Sequence, residues 1–184
     1  MTVIFILFLG IAAGSYSLTM LSEEEITGMK EYTDKFFSTS ILNSTDSNAI
    51  FRQNFLDNLK LISLIWISGF FVFLIPVSLI QIFLKGFRIG FTISYFIGIY
   101  SFKGIVYSLM NYFSGNLLFL PLIVFFAVYS IKHSVGHTKA IRKKVFEFNN
   151  FAIYAACVFA GLIFSLFDGY IMSFVLKAAA AVNL

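Results

Sequence analysis

Charge is scarce in this chain: 12% of its 184 residues are Asp, Glu, Lys or Arg, while 59% are hydrophobic and 25 are phenylalanine. A soluble domain carries about 25% charged residues. The composition therefore excludes an ordinary water-soluble globule and leaves a polytopic, all-α membrane bundle forming one domain. Cysteine is nearly absent too. Cys157 stands alone inside an apolar run, so no internal disulfide is available and packing is its role. No nucleophile-and-base pair, phosphate loop or paired intramembrane carboxylates are present, so no enzyme and no cofactor are expected. His133 and His137 stand four apart, as helical metal ligands can, but lack cysteine or carboxylate company; a solvated basic loop is the better reading. The net charge of +4 does not point to nucleic acid, because the basic residues stand at the ends of apolar runs.

What is present is apolar length. A crossing helix takes about 20 residues, and five spans are expected near residues 3–20, 61–84, 86–103, 117–131 and 148–168. The first contains Gly10 and Gly14, a small-xxx-small face that admits a close helix neighbour. Ala12-Ala13-Gly14 also resembles a cleavage site, although no basic lead precedes it. Pro76 should kink the second span or free a carbonyl. Lys85 and Arg88 should end that span at an interface, with Gly86 and Gly90 packing closely where the third begins.

The run from Lys85 to Lys132 is the centre of the chain. It is interrupted by Lys103-Gly104, by Ser114-Gly115-Asn116 and by Pro121. Irregular backbone at membrane depth needs cover from protein or a wet cavity. Residues 104–113 therefore read as a half-helix entering from the outer side, with a turn at Gly115 and Asn116; one long tilted helix over 105–131 is the alternative. The Asn116 amide should find a partner within the protein. Asp168, near the outer interface, is either a helix-end carboxylate in water or a partner of Lys103.

Residues 21–60 form the only sizeable polar segment. Ser22 and Glu25 have capping-box spacing, and Ile26, Met29, Phe36 and Phe37 fall near one helical face. This segment holds seven acidic and four basic residues, whereas residues 132–144 hold five basic and none acidic. The positive-inside rule places the 132–147 loop and the N-terminus in the cytoplasm, and the 21–60 segment and the C-terminus outside.

KGFRIGFT, then FKG, then GNLLFLP, then a final apolar span ending in an acidic residue resemble the stage II sporulation protein M family across nearly the whole chain. Two positions depart from its pattern. Ser114-Gly115 precede Asn116 where the family usually has proline, and Asp168 stands where it usually has glutamate followed by proline. The resemblance implies a non-enzymatic scaffold of the cell membrane that recruits peptidoglycan hydrolases, the stage II sporulation proteins D and P, during engulfment. Met29, Phe36 and Phe37 are the candidate docking residues, and a homo-oligomer is compatible with the small-residue faces. A permease-like channel component, suggested by the broken central run, is the alternative.

Overall fold

The computed structural model describes the backbone of residues 1–42, 47–113, 116–139 and 148–181. Among them are six helices and no strand: α1 (Thr2–Ser17), α2 (Glu23–Leu42), α3 (Ser47–Ser68), α4 (Ile75–Phe113), α5 (Asn116–Lys139) and α6 (Phe148–Ala181). Among the described residues, two stretches are long and apolar enough to cross a membrane, Thr2–Met20 and Val72–Ser101. Phe119–Val135 and Phe151–Phe167 are shorter apolar helices.

Helices α1 and α4 make the most extensive contact of the fold. Glycine is the reason. A Cβ at Gly10 or Gly14 would strike the carbonyl oxygen of Phe83 or Phe87, and one at Gly86 or Gly90 would strike that of Leu7 or Ile11. Residue numbers rise together on both sides, so the two helices run parallel. Ser15 Oγ adds a hydrogen bond to Gly90 O at 3.3 Å. The far side of α1 leaves Ile4, Phe5, Phe8 and Leu9 exposed, an apolar face suited to lipid.

Helices α3 and α4 form an antiparallel hairpin turned at residues 69–74. Phe71 is extended (φ −133°, ψ 124°), and a Cβ at Gly69 would lie 2.6 Å from Ser130 Oγ. Two expectations change here. The apolar run 61–84 is not one helix but the end of α3 and the start of α4. Pro76 does not kink it, because it occupies the first turn of α4, where its missing N–H costs no intrahelical bond.

Helix α5 runs alongside α3 in the same direction, since Phe119 lies near Gly161 and Ile62 while Ser130 reaches Ile65 and Gly69. Helix α6 runs opposite to α3, pairing Tyr154 with Ser63 and Ser165 with Asn58. The core they enclose contains Val3, Ile62, Ile65, Ile82, Phe119, Ile123, Phe126 and Cys157. Buried serines return their hydroxyls to backbone carbonyls: Ser68 and Ser130 both donate to Ile65 O, at 2.7 and 2.6 Å, and Ser165 to Gly161 O at 2.7 Å.

Three further boundaries differ from expectation. No break occurs at Lys85–Arg88, because Gly86 and Gly90 lie mid-helix against α1. The break expected at Lys103-Gly104 falls at Ser101, whose φ of 50° and ψ of −124° leave the helical region. The chain then folds back far enough that a Cβ on Gly104 would meet the Phe96 carbonyl. Finally, α5 continues through His133 to Lys139, so the basic stretch begins on a helix rather than in a loop.

Replacing Gly14 with leucine places side-chain atoms on backbone that no rotamer change can move. Overpacking typically costs about 1–3 kcal/mol and more where relief is blocked. Thermal unfolding of the purified protein should show a clear drop for Gly14→Leu. Gly28, where a Cβ would meet nothing within 4 Å, is the counterpart: Gly28→Ala should stabilise α2 by about 0.5–1 kcal/mol. Equal effects of the two would refute the seam.

Candidate functional site

Among the described residues, three places combine polar groups with accessible surface or an interhelical position. The first is α2. Leu21 is extended (φ −76°, ψ 144°), so the chain leaves the path of α1 after the short 3-10 turn Leu18–Met20. Ser22 then caps α2: its N–H donates to Glu25 Oε2 at 2.9 Å, and Glu25 N–H donates to Ser22 Oγ at 3.3 Å. This is the reciprocal box that the spacing implied. The middle of α2 is fastened to the stretch of α4 just before the Ser101 break. Thr33 Oγ1 and Tyr95 OH share a hydrogen bond of 2.8 Å, and Tyr100 OH donates to Asp34 Oδ1 at 2.7 Å. Met29 is half-buried beside this anchor, whereas Tyr32 is 73% exposed. The exposed Glu31–Lys35 pair, at 2.8 Å, marks the solvated face.

The second place is the turn between α3 and α4. His133 Nδ1 lies 3.2 Å from Gly69 O, and its ring stacks near Tyr129 with centroids 6.3 Å apart. It is thus a packed side chain rather than a solvated one. Trp66 stacks on Tyr154 at 4.6 Å beside it. The space left between these groups is about 10 Å³, enough for one water at most. Among the described residues, no group of three or more His, Cys, Asp or Glu is placed to hold a metal ion.

The third place went unread in the sequence. A cleft of about 190 Å³ opens between α3 and α4, lined by Asp57, Lys60, Leu61, Leu64, Gln81, Leu84, Lys85 and Arg88. Lys60 Nζ lies 3.7 Å from Asp57 Oδ1, and Lys85 Nζ sits 5.9 Å above the Phe119 ring. The signal was available: 81, 85 and 88 are spaced i, i+4, i+7, one stripe of a helix. It was hidden by reading Lys85 and Arg88 as a helix end.

The other expected residues are placed as follows. Gly10, Gly14, Gly86 and Gly90 meet at the α1–α4 seam. Asn116 opens α5, and Pro121 lies in α5 with its ring exposed. Lys103 follows the Ser101 break. Asp168 lies inside α6, which continues to Ala181, so it is not at a helix end. Gly115 and the side chains of Phe36, Phe37, Lys103, Asn116 and Asp168 lie outside the described residues. The hydrogen bond expected of Asn116 and the Asp168–Lys103 pair fall there as well.

Residues 2–172 match the family model described as Stage II sporulation protein M. No curated protein and no solved structure matches the chain.

The α2 cap titrates. Hydrogen bonds from the Ser22 N–H, and secondarily from its hydroxyl, hold the Glu25 carboxyl below its ordinary range. A lowered folded pKa means the cap is fully present above the unfolded value, about 4.3. It is lost as pH falls through the folded one. Amide protection in the first turn of α2 should therefore fall at acid pH in the native protein and stay level in Glu25→Gln. A parallel decline in both proteins would show that the cap does not hold the helix start.

Proposed function

The chain belongs to the stage II sporulation protein M family, and from that premise we propose a multi-pass membrane scaffold that holds extracytoplasmic peptidoglycan hydrolases at the sporulation septum. Hydrolases of the stage II sporulation protein D and P kind are its partners in this reading. Five crossings are supplied by α1, α3, α4 as far as Ser101, α5 and α6. The directions of the helices support this count. Met1, the 69–74 turn and the His133 end of α5 gather at one end of the bundle, while α2 is fastened at the other. With the basic residues 132–144 in the cytoplasm, α2 lies outside, where wall enzymes are.

The observation that carries the proposal is the anchorage of α2. A helix pinned through Thr33–Tyr95 and Asp34–Tyr100 while exposing Tyr32 supports reading α2 as an extracytoplasmic ledge. Met29, Tyr32 and Phe36 are spaced i, i+3, i+7 along it, the pattern of a helix face that meets a partner, while Phe37, four residues after Thr33, borders the pinned side. A scaffold needs such a surface and no reacting groups. The permease-like alternative draws on the break at Ser101, since transporters bind substrates at discontinuous helices.

A photocrosslinking residue at Tyr32 should capture a wall hydrolase from sporulating cells. Serine at Met29, Phe36 and Phe37 should lower hydrolase recovery at least about tenfold, a loss of roughly 1.4 kcal/mol, at normal membrane abundance. Capture from the lipid face at Phe8 instead would move docking into the membrane. Solute flux in liposomes, lost in Asn116→Leu, would favour the permease. Topology has its own check: a cysteine at Ser22 should label from outside intact cells, and one at the exposed Val135 should not. The reverse pattern would invert the orientation.

A further inference from the structure

The outer half of α3 carries a polar stripe that leads into the α3–α4 cleft, and we infer that water fills this furrow from the extracytoplasmic side to mid-bundle. The inference rests on the membrane arrangement proposed above. Arg52, Gln53, Asp57 and Lys60 are all exposed. At about 100° per residue they fall within about 140° of one face of α3. The opposite face holds Asn58, which donates to Ser165 of α6, and the buried Ile62 and Ile65. The stripe thus points away from the packed core. Lys60 and Asp57 stand eight and eleven residues before Ser68, about 12 and 16 Å from the inner end of α3. The hydrocarbon layer is about 30 Å thick, which puts both near its middle.

Lipid and water are the two media that meet such a face, and exposure decides between them. Asp57 and Lys60 pair at 3.7 Å, yet their side chains stay 56% and 73% exposed. In hydrocarbon, an ion pair so open would lose its hydration without gaining cover from protein. Snorkelling to the inner headgroups is opposed by geometry. Cβ atoms lean towards the N-terminus of their helix, which for α3 is the outer end. The cleft supplies the room: about 190 Å³, enough for several waters, between these residues and Gln81, Lys85 and Arg88 of α4. Further inward the lining changes. The exposed positions on the same face of α3 become Leu64 and Ile67. The furrow is therefore blind, admitting polar groups from the wall side to mid-bundle without a path through.

Neighbouring residues of α4 provide the test, because Gln81 lines the cleft while Ile80, 54% exposed, lies outside it. Single cysteines are placed at each in the full chain carrying Cys157→Ala, and intact cells are treated with a membrane-impermeant methanethiosulfonate. A thiol reacts as its thiolate, which needs water, so Gln81→Cys should label at least about tenfold faster than Ile80→Cys. Both should label fully once the membrane is dissolved in dodecyl sulfate. Should Gln81→Cys fail to fold, Leu64→Cys at the furrow floor should label in its place. Ser22→Cys reports orientation separately. Protection of the cleft cysteines while Ser22→Cys labels shows a dry cleft, which overturns the furrow and leaves the orientation and the scaffold standing. Equal labelling at Ile80→Cys also overturns it, as does labelling only in inverted vesicles. Protection together with a disulfide between two chains through Gln81→Cys assigns the face to a second copy and overturns the water.

Discussion

Everything in this bundle is referred to the line along which α1 and α4 touch backbone to backbone. Lipid tails are as apolar as leucine, so helix association in a membrane draws on close packing rather than on escape from water. Gly10 and Gly14 facing Gly86 and Gly90 provide that closeness. The contact fixes more than a pair. Parallel α1 and α4 require the intervening chain to travel back, which α3 does, and they bring the end of α1 level with Gly98, beside which Leu18 packs. The exit of α1 is thereby set next to Tyr95 and Tyr100, where α2 is caught.

Polar groups then refine what glycine has positioned. Ser130 of α5 donates to a carbonyl of α3, Asn58 of α3 to Ser165 of α6, and Ser63 shares a bond with Tyr154. Interhelical bonds of this kind average only about 0.6 kcal/mol in membrane proteins. Their value lies in register, because a rotated or slipped helix would leave hydroxyls and carbonyls buried without partners. The serine at 130 also lies where a side chain at Gly69 would clash. One small residue thus shapes the hairpin turn and the approach of α5 together.

The helical class, the glycine faces and the Ser22–Glu25 box were legible in the sequence because each is a local pattern with a local cause. Which glycine face meets which was not, since nothing in Gly10 or Gly86 names its partner. The hairpin turn was hidden for a different reason. Residues 69–74 are mostly apolar, Gly-Phe-Phe-Val-Phe-Leu, and hydropathy cannot distinguish an apolar turn from the middle of a span. Proline 76 was legible as a breaker, but only the position of the helix start shows that it begins α4 rather than bending it. The break near residue 103 was seen about two residues late, within the normal uncertainty of helix ends.

Lys85 and Arg88 illustrate the deeper ambiguity. A basic residue after an apolar run signals a membrane edge when the helix stops there, and an internal site when it does not. At about 100° per residue, positions 81, 85 and 88 fall on the side of α4 away from 86 and 90. One face of this helix is closed by glycine contact, and the other holds cations against α3. The two faces are coupled by geometry. Rotating α4 enough to bring its charges out of the cleft would drive bulky residues such as Phe87 and Arg88 into the α1 seam, where a methyl group already has no room. The seam that packs the bundle is therefore also what keeps the charges turned towards α3.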